Sequence, residues 1–239
     1  SKRFKNPRYK LRKRLTFSRF LWYNNFITMK RNQMIIGITG LIGSGKGTVA
    51  DILVEEHNFI KLSFADKLKD GVATVFGWDR AMLEGDTVES REWRETVDEF
   101  WTNETGREIT PRLVLQEFGT DCMRNGFYDG VWVSLVKQEI INNPDNNYIV
   151  PDVRFPNEIK IIKSLNGEVW NVRRGELPEW WGTAILDNQT NSTLMKDNHP
   201  EVHQSEWRWI STNDTFDKIL YNDDSIKALY SKVSAELST

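Results

Sequence analysis

Nine consecutive residues, Gly40-Leu41-Ile42-Gly43-Ser44-Gly45-Lys46-Gly47-Thr48, combine spaced glycines, one lysine and two hydroxyls. They satisfy the Gly-x4-Gly-Lys part of the Walker A pattern. Glycines let a backbone curl until successive N–H groups point inward at phosphate oxygens. A helix beginning at the lysine adds its partial positive charge. In that chemistry Gly43, Ser44, Gly45, Lys46, Gly47 and Thr48 hold ATP. Lys46 reaches the β and γ phosphates, and Thr48 helps to hold Mg²⁺. The plain alternative is a glycine-rich turn that binds nothing.

A second group lies in Ile149-Val150-Pro151-Asp152-Val153-Arg154-Phe155-Pro156-Asn157-Glu158. Residues two apart on an extended segment point to the same side, so Asp152 and Arg154 share one. A carboxylate beside a divalent cation and a guanidinium beside a phosphate suit phosphoryl transfer. Asp152 is the second candidate metal ligand, and Lys46, Asp152 and Arg154 are the candidate catalytic set. An Asp–Arg ion pair closing a strand end is the structural alternative.

These residues need a scaffold that brings them together. Met34–Thr39 is a continuous apolar run, read as a strand buried on both faces. Lys46–His57 reads as a helix, Phe59–Phe64 as a second strand and Ala65–Phe76 as a helix. Residues 78–110 are polar and weakly periodic, and read as a helical insertion. Helices follow over Pro111–Asp121, Gly130–Ile141 and Asn157–Leu165. Tyr148–Val150, Val169–Val172 and Trp209–Ser211 complete five strands, and a last helix runs from a cap at Asp214 or Thr215 to Val233. Strands alternating with helices predict an α/β fold of three layers, with about five parallel strands. Ligands in such sheets sit at the carboxyl ends of the strands, where both groups fall.

The form Gly45-Lys46-Gly47-Thr48, with Gly47 between lysine and threonine, resembles the nucleoside monophosphate kinases. The loop from Ile38 is also similar to that of dephospho-coenzyme A kinase. Further elements in order make the likeness more specific: Ala65–Lys69, Leu115-Gln116, Gly119-Thr120-Asp121, Trp132, Val150-Pro151-Asp152 with Arg154 and Glu158, and His203-Gln204-Ser205-Glu206. Together they resemble the phage deoxynucleoside monophosphate kinases over almost all of 34–233. That resemblance implies ATP-dependent phosphorylation of a deoxynucleoside monophosphate with Mg²⁺, a homodimer, and a host-cytoplasm location. It implies that Lys69, Arg91 and Arg112 contact the acceptor phosphate, with Arg94 a rival to Arg91. Gly119 and Thr120 would line the nucleotide site, Trp132 would pack on base or sugar, and Asp152, Arg154 and Glu158 would complete the acceptor site. Arg173 or Arg174 would close a lid of about 174–206 over the triphosphate, and Asn213 would contact adenine. His203 and Glu206 would cap a lid helix or touch ATP. Residues 175–202 depart from the family pattern.

The charge is divided unevenly. Residues 1–33 hold eleven Lys or Arg and no acid, while the remainder carries 21 basic against 34 acidic residues. The basic stretch reads as an extension outside the fold, with Met29 and Met34 just before the first strand, or as a tether to nucleic acid. The rest, 34–239, reads as one domain. A lone Cys122 allows no intrachain disulfide, fits a reducing compartment and reads as a small buried side chain. No apolar run is long enough to span a membrane. Two rivals to the resemblance are a dephospho-coenzyme A kinase, whose acceptor hydroxyl needs a base, and a non-catalytic nucleotide-binding module.

Overall fold

The computed structural model describes residues 33–210 and 216–238. The basic stretch therefore lies outside the described residues, apart from Gln33. Five strands form one sheet: β1 (Ile35–Thr39), β2 (Phe59–Lys61), β3 (Asn147–Val150), β4 (Glu168–Arg173) and β5 (Lys218–Tyr221). Their order is β2-β3-β1-β4-β5 and every pairing is parallel. The expected α/β layers are thus present.

Alternation along β1 divides the core. Ile35 packs on one face with Tyr148, Val150 and Val169. Ile36 and Ile38 pack on the other with Ile149, Trp170 and Val172. The second face is covered by α1 (Lys46–His57), through Val49, Ile52 and Leu53, and by the last helix, through Leu229 and Val233. The first face is covered by α6 (Val131–Asn142) and α7 (Pro156–Ser164). Between β2 and α6 lie α2 (Asp66–Phe76), α3 (Val88–Glu95), α4 (Glu99–Thr105) and α5 (Pro111–Gln116). They enclose a separate cluster of Val72, Leu83, Ile109 and Val114, ringed by Trp78, Trp93 and Trp101. Residues 78–110 are therefore a helical layer with its own apolar core.

Several expectations need correction. Trp209 and Ile210 are not strand; they are buried in a turn. The fifth strand is Lys218–Tyr221, and the last helix, α10 (Ile226–Leu237), is capped by the Ser225 side chain rather than by Asp214 or Thr215. Residues 174–206 contain α8 (Trp181–Thr190) and α9 (Leu194–Asn198). Trp181, Ala184 and Met195 join the main core, so this segment is packed on the sheet. Trp181 is buried in that core and Trp180 packs, partly buried, against it. Cys122 is exposed, not buried.

Candidate active site

β1 ends at Thr39 and α1 starts at Lys46, so the loop between them turns back sharply. Gly40, Gly43 and Gly45 all have positive φ. At Gly40, φ 150°, an added Cβ would lie 2.5 Å from the Val172 carbonyl oxygen, and Gly45 is a second position that favours glycine. It sits at φ 99°, and an added Cβ would lie 2.3 Å from Asn222 Nδ2. Asn222 also donates to the Ser44 carbonyl at 2.9 Å and its own N–H donates to the Arg173 carbonyl. It ties the loop to the end of β5. Sequence reasoning missed Asn222 because it placed the fifth strand too early. Asn213, named for adenine contact on that premise, lies outside the described residues. The residues that follow the last strand are Asn222–Ser225.

Lys46 Nζ donates to the carbonyls of Gly40 and Leu41, each at 2.7 Å. Burial and, after it, the charge of Arg154 pull its pKa down to about 8, against the opposing charge of Glu206. The ammonium therefore lies within electrostatic reach of Arg154. Ser44 Oγ is buried with no hydrogen-bond partner.

The turn after β3 reaches the same edge because β3 pairs with β1. Gly37 makes the close approach possible: a Cβ there would lie 3.0 Å from Val153 Cγ2. Val153 is buried and its N–H donates to the Ile38 carbonyl at 3.2 Å. With Val153 turned into the core, Asp152 reaches Ser63 and Arg154 reaches Ser205 and Glu206. Asp152 Oδ2 accepts from Ser63 Oγ at 2.6 Å, while Oδ1 is buried without a partner. Burial raises the Asp152 pKa, and the Ser63 bond opposes this. An acceptor oxygen in that state is suited to a hard cation. Thr48 lies in the first turn of α1, half-buried.

Glu158 is buried, and its Oε2 accepts from the N–H groups of Arg154 (2.7 Å) and Phe155 (3.0 Å). Its carboxyl thus holds the turn that presents Arg154, rather than standing open to a ligand. Burial raises its pKa to about 7, with Asp152 adding to the rise and the two N–H groups and Arg124 opposing it. The unfolded chain releases this proton near the usual carboxylate range and the folded chain only near 7. Stability therefore falls as pH rises between those values. Glu158→Gln is expected to flatten this slope: urea melts should show the wild type losing stability relative to the variant from pH 5 to pH 8.

The residues expected at the acceptor are spread over the helical layer. Lys69 is paired with Glu84, which also holds Arg80. Arg112 pairs with Glu95, and Arg91 is exposed and donates to the Asp86 carbonyl. Arg94 feels the charges of Arg112 and Arg91, which with burial lower its pKa. Its guanidinium packs on Gly85, and its buried Nε has no partner. Arg91, Arg94 and Arg112 thus form one cationic group, so the choice between Arg91 and Arg94 is a choice within a cluster.

A π-helical segment, Glu117–Asn125, follows α5. Gly119 is buried against Leu68 and Thr120 is exposed. Trp132 is buried and its Nε1 donates to the Gly119 carbonyl at 3.0 Å. It is a core side chain that fixes the segment, not a free stacking surface. Arg173 is the last residue of β4; its Nε donates to Asn171 Oδ1 at 2.7 Å and its guanidinium lies 5.5 Å from the centre of the Trp181 ring. With Arg174, Leu41 and Ser44 it lines a small pocket beside the cradle.

A parallel sheet in this order, with a glycine-rich turn leading from β1 into a helix, defines a P-loop phosphate-binding protein. Residues 81–180 match the family profile of deoxynucleotide monophosphate kinase. The chain is 29% identical over 212 residues to a mimivirus protein (Acanthamoeba polyphaga mimivirus) provisionally named a deoxynucleotide monophosphate kinase, covering 84% of this chain and 94% of that one. It is 33% identical over 58 residues to the deoxynucleoside-5′-monophosphate kinase of Escherichia phage T5, covering 24% and 23%. These matches are to deoxynucleotide monophosphate kinases, the family that the sequence motifs resemble. Among solved structures, TT1252 from Thermus thermophilus superposes with TM-score 0.43 at 18% identity, over 87% of this chain and 98% of that one. Dephospho-CoA kinase from Campylobacter jejuni gives 0.37 at 13% identity, over 86% and 96%. Among the described residues no helix is long and apolar enough to cross a membrane.

Proposed function

We propose that this chain transfers the γ-phosphoryl group of ATP to a deoxynucleoside 5′-monophosphate, giving ADP and the diphosphate. One observation carries the reading. Lys46, after β1, and Arg154, after β3, stand at the carboxyl ends of adjoining strands, near enough for the charge of Arg154 to act on Lys46. Bringing two polyanions together requires such a place.

The cradle from Gly43 to Thr48 would hold the triphosphate, with Arg173 beside it. Lys69, Arg94, Arg112 and Arg91 would draw in the acceptor phosphate, and Arg154 would grip it where it meets ATP. The acceptor oxygen is already anionic at neutral pH, so no base or covalent intermediate is needed. Asp152 Oδ1 and Thr48 would hold Mg²⁺, which when bound supplies charge neutralisation at the phosphates. Gly119 and Thr120 would border the nucleoside, with Trp132 and Glu158 acting as positioning residues behind them. A homodimer, carried by the resemblance, is a separate expectation that light scattering tests.

Acceptor-dependent ADP release with a panel of deoxynucleoside monophosphates and dephospho-coenzyme A tests the reading. Turnover with the monophosphates is expected. Turnover with dephospho-coenzyme A alone would overturn it in favour of hydroxyl phosphorylation, and ATP binding without any turnover would favour a binding module. Within the same assay Arg154→Ala is expected to raise the acceptor KM by about tenfold or more, with ATP affinity changing far less. Equal loss of both would make Arg154 a structural residue.

A further inference from the structure

The tetrad His203-Gln204-Ser205-Glu206 carries part of the family likeness, yet nothing in the reaction above uses it. Its last three residues form a single helical turn, Gln204–Glu206, that reaches Arg154. Arg154 Nη1 lies 3.4 Å from both Ser205 Oγ and Glu206 Oε1. Ser205 is fixed in turn by His203, whose Nδ1 is 2.9 Å from its Oγ. The Glu206 side chain is 19% exposed against 45% for Arg154, so the carboxylate is the more enclosed partner. Its charge also acts on Lys46, in the sense that favours the ammonium. One carboxylate therefore sits among two cations that repel each other, where a phosphate group would do the same work.

We propose that Glu206 is a placeholder for the γ-phosphate: it neutralises Lys46 and Arg154 in the nucleotide-free protein and gives up Arg154 when the triphosphate enters. The proposal rests on the reading of the Lys46 loop as a triphosphate site. A carboxylate and a phosphate compete for the same guanidinium, since both offer paired oxygens in its plane. The competition lowers the affinity for a lone phosphate, and the rest of the triphosphate, anchored along the cradle, displaces the carboxylate. ADP ends short of this corner and has no such contest.

Calorimetric binding of Mg·ATP and Mg·ADP to the full chain, with no acceptor present, tests this. Glu206→Gln is expected to tighten ATP about five- to tenfold, the effect of losing one nearby opposing charge. ADP affinity should stay within about twofold. Glu206→Asp, which keeps the charge, should retain the wild-type ratio of ATP to ADP affinity. Unchanged or weaker ATP binding by Glu206→Gln overturns the proposal, as does an equal gain for ADP. Glu206→Ala, with the same outcomes, serves if the glutamine variant fails to melt as a folded protein. Wild-type chain that binds no ATP would strike the triphosphate site itself, whereas normal wild-type binding with an unaltered Glu206→Gln variant strikes the placeholder alone.

Discussion

Lys46→Ala is expected to cut turnover about 10²- to 10³-fold while the variant stays folded, as loss of one preorganised charge at developing phosphate charge generally does. The fold should tolerate the change because this lysine is costly to keep. Its pKa, about 8, lies below the ordinary value of 10.5, and burial is the main cause, so the folded state disfavours the ammonium. Removal frees the carbonyls of Gly40 and Leu41, in a site only partly buried. Thermal melting checks stability, and steady-state kinetics check turnover. A rate near that of the wild type would remove Lys46 from the mechanism. The same pKa fixes a pH dependence. The ammonium that attracts phosphate is present below about pH 8 and lost above it. ATP affinity of the wild type is therefore expected to fall as pH rises through 8, and to stay flatter in Lys46→Ala.

Asp152→Asn has the second large expected effect, a loss of about 10²-fold or more in turnover. The change is nearly isosteric. An amide oxygen can still accept from Ser63 Oγ, so the turn after β3 should keep its shape. What disappears is the negative charge on a buried oxygen that has no protein partner. The variant is expected to bind ATP normally without divalent cation and to lose most of the gain in affinity that Mg²⁺ gives the wild type. Calorimetry with and without Mg²⁺ reads this independently of turnover. If the metal-dependent gain is unchanged, Asp152 is not a metal ligand and its buried carboxyl serves the turn alone.

These two residues also show how far sequence reading reaches. Lys46 was legible because a glycine-rich turn between a strand and a helix needs fixed residues at fixed spacing. Asp152 and Arg154 were legible because alternation puts them on one side of an extended segment. Trp132 was not: a tryptophan on a helix reads alike whether it stacks on a base or donates to Gly119 from the core. Glu158 was placed near the acceptor, but its carboxyl is engaged by backbone N–H groups, and no pattern of residue types reveals that. Asn222 was missed outright. Lys218–Tyr221 is only four residues, edge-placed and half-buried, too short for a two-residue period to stand out. The buried Trp209-Ile210 pair drew the strand assignment instead.

Local sequence determined what each segment can be: the strand entering a phosphate-binding turn, the helix opening at Lys46, the extended turn bearing Asp152 and Arg154, and with them the class of chemistry. Those features depend on neighbours within a few residues, where sterics and hydrogen-bond geometry leave few choices. Only the tertiary structure decided which charges meet. Pairing of β3 beside β1, the close approach at Gly37, and the return of Ser205 and Glu206 to Arg154 join residues from 51 to 116 positions apart. Coulomb interaction depends on separation in space, and chain separation says nothing of that until the sheet order is known.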